Sequence, residues 1–251
     1  MGIVLAMMLL GVLGPLLIGT DEVSGTDDSD RIEGRDGAET LQGGGGADLL
    51  LAAMGDDVVS GGGGSDWIFA GDGDDIIAGD ADGDVILPGA GADRVDGGNG
   101  DDFIEAANLV DLDALNASLR TARSFADIRF DYDFAAKPDA GDSVQGGGGD
   151  DTILAGPDDT ISGGAGADQI ATGDWGRNAP PATVTDFDPD ADMLTYTYRV
   201  GTAAPVLTTQ TDPASGDVTV LANGQAAVIL RNLPQGFDPG RITIRLWRDA
   251  A

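Results

Sequence analysis

The chain has 251 residues, with 44 Asp and Glu against 13 Lys and Arg, for a formal net charge of −31. So few cations exclude a general basic surface for phosphate backbones, and no nucleic-acid partner is expected. Cys and His are both absent, which excludes disulfides, thiolate and HExxH zinc sites, a Ser-His-Asp triad and the commonest general base.

The N-terminal stretch from Ile3 to Ile18 is apolar apart from glycines and Pro15. As a helix it spans about 24 Å, short of the roughly 30 Å hydrocarbon core of a bilayer. No Lys or Arg precedes it, and Val23-Ser24-Gly25 makes only a weak cleavage site. The expectation over 1–20 is a hydrophobic helix acting as a membrane-targeting segment or anchor, with membrane contact through residues 3–18. A buried helix is the alternative.

From Gly25 the chain can be cut every nine residues, and nine consecutive blocks run without a gap to Glu105. The sixth position reads Asp30, Glu39, Asp48, Asp57, Asp66, Asp75, Asp84, Asp93 and Asp102. The eighth is always aliphatic: Ile32, Leu41, Leu50, Val59, Ile68, Ile77, Ile86, Val95 and Ile104. The fourth is Gly in seven of nine blocks, with Asp28 and Asp82 as exceptions. A flexible Gly-rich linker has no reason to keep an aliphatic residue at a fixed period. The last three residues of each block read as a short strand, with the eighth side chain inward and the seventh and ninth outward.

The blocks GGGGADLLL (43–51), GGGGSDWIF (61–69) and GGNGDDFIE (97–105) resemble the RTX nonapeptide GGxGxDxUx. That resemblance implies an all-β fold, a parallel β-roll solenoid in which two nonapeptides make one turn and block n stacks on block n+2. It also implies several Ca²⁺ ions between stacked turns. By the family pattern the ions are held by Asp30, Glu39, Asp48, Asp57, Asp66, Asp75, Asp84, Asp93 and Asp102. Carbonyls or turn geometry come from Gly44, Gly46, Gly55, Gly62, Gly64, Gly71, Gly73, Gly89, Gly91, Gly98 and Gly100. The chemistry agrees with the family. Ca²⁺ takes six to eight oxygens from carboxylates and carbonyls, and Gly allows the tight turn. Blocks 25–33 and 34–42 carry Thr26 and Arg35 at the second position and read as an atypical terminal cap.

If two blocks make a turn, one outer face carries Leu49, Leu51, Trp67, Phe69, Val85, Leu87 and Phe103. An apolar patch of that kind marks an interface. It is expected to be covered by the insert that follows, by the C-terminal region or by a partner chain. The opposite face, with Thr40, Gln42, Val58, Ser60, Ile76, Ala78, Arg94 and Asp96, is mixed.

Residues 106–142 leave the register as an insert. Leu109, Leu112, Leu115 and Leu119 have helical spacing with Asp111 as a possible N-cap, and Ile128, Phe130, Tyr132 and Phe134 alternate as in a half-buried strand. The repeat resumes over 143–172 with GGGGDDTIL, the one-residue-short AGPDDTIS and GGAGADQIA. There the resemblance adds Gly147, Gly149, Asp151, Gly164, Gly166 and Asp168 to the calcium set, and Asp142 with Val144 marks a degenerate block. From Ala182 the composition turns to Thr, Val and Ile, with strands expected over 193–199, 206–211, 217–221, 226–230 and 242–247 and a hairpin turn at Asn223-Gly224. Asp186, Phe187, Asp192 and Leu194 resemble the segment that closes serralysin-type RTX regions. That likeness implies an antiparallel β cap over 182–249 at the open end of the roll.

The function expected is that of a non-enzymatic, calcium-binding extracellular or cell-surface protein that folds on binding Ca²⁺. The alternatives are an RTX module of a secreted enzyme and a calcium-dependent adhesin or surface-layer component. No protein partner is named by the sequence.

Overall fold

The structure, a computed structural model, describes residues 16–18, 21–110, 115, 140–176, 179–198, 202–234 and 244–248. The first eleven strands are β1 Leu16–Ile18, β2 Glu22–Ser24, β3 Arg31–Glu33, β4 Thr40–Gly45, β5 Leu49–Met54, β6 Val58–Gly63, β7 Trp67–Asp72, β8 Ile76–Ala81, β9 Val85–Ala90, β10 Arg94–Asn99 and β11 Phe103–Glu105. After the insert come β12 Ser143–Gly148, β13 Thr152–Leu154, β14 Thr160–Ala165, β15 Gln169–Gly173, β16 Ala182–Val184 and β17 Met193–Tyr198. The last four are β18 Leu207–Thr211, β19 Val218–Ala222, β20 Gln225–Leu230 and β21 Ile244–Arg248.

Consecutive strands fall alternately into two sheets. Odd strands β1 to β17 stack in order with β21 at the end, and even strands β2 to β16 stack in order and continue through β20, β19 and β18. Pairing is parallel, with Leu49 opposite Trp67 and Trp67 opposite Val85 in one sheet, and Val58 opposite Ile76 and Ile76 opposite Arg94 in the other. Each coil therefore uses 18 residues, as a β-roll of paired nonapeptides requires. The insert is absorbed without loss of register: Arg94 pairs with Ser143 and Phe103 with Thr152.

All nine eighth-position aliphatics are at most 2% exposed. Val144, Ile153, Ile161, Ile170, Val184 and Leu194 extend this column in the same core, which Val228 and Leu230 complete. Outward from the odd sheet, Leu49, Trp67, Phe69, Val85, Leu87 and Phe103 form a second buried cluster with Val110 and Leu115 of the insert. Trp67 is only 2% exposed, whereas Ile76 on the even sheet is 52% exposed. Part of the insert is therefore what lies on the apolar face. Glu105 anchors its start: buried, it accepts N–H bonds from Ala107, Leu109 and Val110.

Three expectations change or pass out of view. Most of the N-terminal hydrophobic helix lies outside the described residues, but its last three residues, Leu16–Ile18, are strand β1, paired in parallel with Arg31–Glu33. Among the described residues no helix is long and apolar enough to cross a membrane. In the insert, Leu115 is helical, while Asp111, Leu112, Leu119, Arg120, Arg123, Lys137 and the alternation from Ile128 to Phe134 lie outside the described residues. The C-terminal region is only partly antiparallel. β18, β19 and β20 form an antiparallel meander turned at Asn223 and Gly224, both at positive φ, but β20 runs parallel to β16 and β21 parallel to β17. The last roll strand of each sheet offers a parallel edge, and along β16 the side chains of Val228 and Leu230 continue the core column.

Candidate metal centre

The turns between the sheets form two rows. Turns that leave even strands carry Asp30, Asp48, Asp66, Asp84, Asp102, Asp151 and Asp168; turns that leave odd strands carry Glu39, Asp57, Asp75, Asp93 and Asp142. All twelve acids are buried. In the first row each carboxylate staples the preceding coil. The N–H of Asp48 donates to Asp66 Oδ1, that of Asp66 to Asp84 Oδ1 and that of Asp84 to Asp102 Oδ1, each at 2.8 Å. The same bond joins Asp30 to Asp48, Asp102 to Asp151 across the insert, Asp151 to Asp168, and Asp168 to Asp192. The second row runs from Glu39 through Asp57, Asp75, Asp93 and Asp142 to Asp159.

One carboxylate oxygen is consumed in that staple. The other, Oδ2 of Asp48, Asp57, Asp66, Asp75, Asp84, Asp102, Asp151 and Asp168, is buried and accepts no hydrogen bond; at Asp30 it is Oδ1. A buried, unsatisfied carboxylate oxygen is costly, and its repetition along a row implies a missing positive partner. The rows end on carboxylates that are satisfied on both oxygens. Asp192 accepts from Asp168 and Asp188, and Asp159 accepts from Asp142 and Gly156.

The glycines expected at the second and fourth positions, Gly44, Gly46, Gly55, Gly62, Gly64, Gly71, Gly73, Gly89, Gly91, Gly98, Gly100, Gly147, Gly149, Gly164 and Gly166, all have positive φ. They also lie on the coil before: a β-carbon on Gly62 or Gly64 would strike the carbonyl oxygen of Gly44 or Gly46. These residues make the turn. The first-position glycines, which sequence reasoning did not number, border the orphan oxygens. A β-carbon on Gly43, Gly61, Gly79, Gly97 or Gly146 would fall within 3.0 Å of both the Oδ2 of its own turn's Asp and the first-position carbonyl oxygen of the next coil. Carboxylate and carbonyl oxygens thus face one cradle. The signal was present as a Gly opening every second block. Asp142 and Asp192, singled out above for other reasons, and Asp159 also join the ladders, a role that spacings of 17, 24 and 49 residues hide from a nine-residue register.

Burial dominates the electrostatics. It pushes the carboxyl of Asp66 up to about 7, Asp84 to about 9 and Asp151 to about 7, with neighbouring carboxylates adding to the rise and the stapling N–H opposing it. Asp48, Asp75, Asp102 and Asp168 rise to about 6 for the same leading reason, and Asp57 and Asp192 move upward too. Among the described residues no three acidic side chains converge on one point. A cation here would be held by one or two carboxylates completed by backbone carbonyls. An all-oxygen, anionic, carbonyl-rich donor set suits a hard divalent cation.

The RTX calcium-binding nonapeptide repeat family model, of four copies, matches residues 18–50, 52–86, 89–108, 139–158 and 158–174. That match stops short of Asp186 to Leu194, so it lends no support to a serralysin-like C-terminal segment. No curated protein matches the chain. Among solved structures, the crystal structure of extracellular lipase LipA from Serratia marcescens is similar at 16% identity and a TM-score of 0.26. The match covers 86% of this chain and 40% of the lipase, so the chain spans less than half of that protein's length. The repeats make this chain an RTX calcium-binding repeat protein, with calcium ions, several along the array, as its cofactor.

Proposed function

We propose that the chain is a non-enzymatic, exported protein whose roll folds on binding Ca²⁺. The observation that carries this is the file of buried carboxylate oxygens lacking a donor, which at Asp48, Asp66, Asp84, Asp102 and Asp151 share a cradle with a backbone carbonyl of the next coil. The assignment places ions along Asp30, Asp48, Asp66, Asp84, Asp102, Asp151 and Asp168 and along Glu39, Asp57, Asp75 and Asp93, with carbonyls of the turn glycines completing each shell. The first-position glycines belong to that set.

The physics is coupled folding and binding. Without a cation, burying this file of carboxylates opposes folding through desolvation and mutual repulsion, and the 41 glycines add conformational entropy to the unfolded chain. Each Ca²⁺ neutralises two charges and ties two coils together. Extracellular modules bind Ca²⁺ at roughly 10⁻⁴–10⁻³ M. Sites of that strength stay empty at cytosolic calcium levels and fill outside the cell, and that difference supports the extracellular reading. The test is circular dichroism during a calcium titration of chelated protein. A cooperative gain of β signal is expected, and a spectrum indifferent to chelator overturns the reading.

A further inference from the structure

Inside the first row, beyond the terminal turn with Thr26 and Asp28, one turn breaks the glycine rule. At the second and fourth positions the neighbouring turns have Gly62 and Gly64 on one side and Gly98 and Gly100 on the other, but the turn between them has Asp80 and Asp82. Both keep the left-handed backbone of the glycines they replace, with φ of 77° and 69°. Residues with side chains adopt that region at a cost. Neither uses its side chain to pack: both are exposed, and the only bond that fixes Asp80 is donated by the Ser60 hydroxyl.

What these two acids do share is position. Asp80 and Asp82 both repel the Asp66 carboxylate, and Asp82 repels that of Asp84. The Oδ2 atoms of Asp66 and Asp84 are buried and accept no hydrogen bond. Asp66 Oδ2 borders the same cradle as the carbonyl of Gly79, the residue before Asp80. That cradle is also wider than its neighbours. A β-carbon on Gly61 would lie 2.9 Å from the Gly79 carbonyl oxygen, while the matching separation is under 2.5 Å at Gly43 and Gly79.

We propose that Asp80 and Asp82 make the Asp66–Asp84 coil the tight calcium site of the first row, holding its ion more strongly than the all-glycine coils beside it. The inference rests on the calcium reading of the rows and adds which site dominates. The two acids are exposed on the turn and act through their charge. Calcium affinity follows the anionic charge around the ion, and exposed charges close to a bound cation act through a field that salt screens.

The test uses D80G/D82G in the full chain. Glycine fits both backbone angles, so the substitution removes charge while relieving the turn. Tb³⁺ serves as the probe, because Trp67 directly follows Asp66 and sensitises emission from an ion bound there. About a tenfold weaker Trp-sensitised Tb³⁺ phase is expected, with the Ca²⁺-loaded dichroism of wild type retained and the difference shrinking at high salt. Replacing two exposed acids outside this turn, D36N/D212N, should leave that phase in place. Equal weakening by both pairs, or none by D80G/D82G, overturns the proposal. Wild-type protein that binds neither Ca²⁺ nor Tb³⁺ overturns the calcium reading itself, and the proposal with it.

Discussion

The two halves of each coil share one nine-residue period yet are built differently. The turns that leave even strands β2 to β14 all open with glycine: Gly25, Gly43, Gly61, Gly79, Gly97, Gly146 and Gly163. Turns that leave odd strands open with Gly34 and then with Ala52, Ala70, Pro88, Ala106 and Ala155, all of which bear a β-carbon. The alanines there are buried and join the main core. The outer faces differ in the same sense. The odd sheet buries Trp67, Phe69 and Leu87 beneath the start of the insert, while the even sheet leaves Val58 and Ile76 in the open. Both rows bury carboxylate oxygens that accept no hydrogen bond, but the odd-strand turns also pack a methyl group into the core where the even-strand turns leave room beside their oxygens.

The largest test of this division is acid. With chelator present, the raised carboxyls set the sign. A carboxyl whose folded value lies above its ordinary 3.8 favours folding when protonated. That stability is complete below about pH 4 and is lost as pH rises through about 6 at Asp48 and Asp102, 7 at Asp66 and 9 at Asp84. Calcium-free protein should therefore gain β structure on acidification, read by far-ultraviolet dichroism. Loss of structure on acidification in chelator would break the comparison.

Next in size is Trp67→Ala, which empties the covered face and should cost about 4 kcal/mol, against a change within about 0.5 kcal/mol for Ile76→Thr on the open sheet. Denaturant melts of calcium-loaded protein measure both. Comparable losses would mean that the faces are not distinct. Gly79→Ala and Ala70→Gly sharpen the turn rows. The first drives a β-carbon into two oxygens and should cost about 3 kcal/mol together with calcium binding at that coil. The second removes one buried methyl and adds chain entropy, for about 1 kcal/mol. A smaller effect than at Trp67 or Gly79 is expected at the insert. Glu105→Gln retains an acceptor but removes the charge that gathers three N–H groups, and should cost about 1–2 kcal/mol with greater exposure of Trp67 to an aqueous quencher.

Much of this was legible beforehand because a solenoid repeats its local rule. The aliphatic eighth position identified the core column, and the strands of the C-terminal region fell within a residue or two of their expected bounds. At Leu16–Ile18 hydropathy alone could not tell a helix from a strand, and the parallel pairing with Arg31–Glu33 makes these three residues a strand. Direction of pairing was likewise invisible for β20 and β21, since alternation does not tell parallel from antiparallel. The ladder roles of Asp142, Asp159 and Asp192 escaped because their partners lie at irregular distances along the chain.

The amino-acid order alone determined the period, the inward column and the acidic rank, because all three follow from side-chain alternation within nine residues. Only the folded coil decided which oxygen of each carboxylate is stapled and which is left for a cation, and how the chain rejoins its register after the insert. It also decided that glycine in one row and alanine in the other serve different ends. Those outcomes depend on atoms 17 to 49 residues apart, where desolvation and hydrogen bonding act across coils and no local pattern records them.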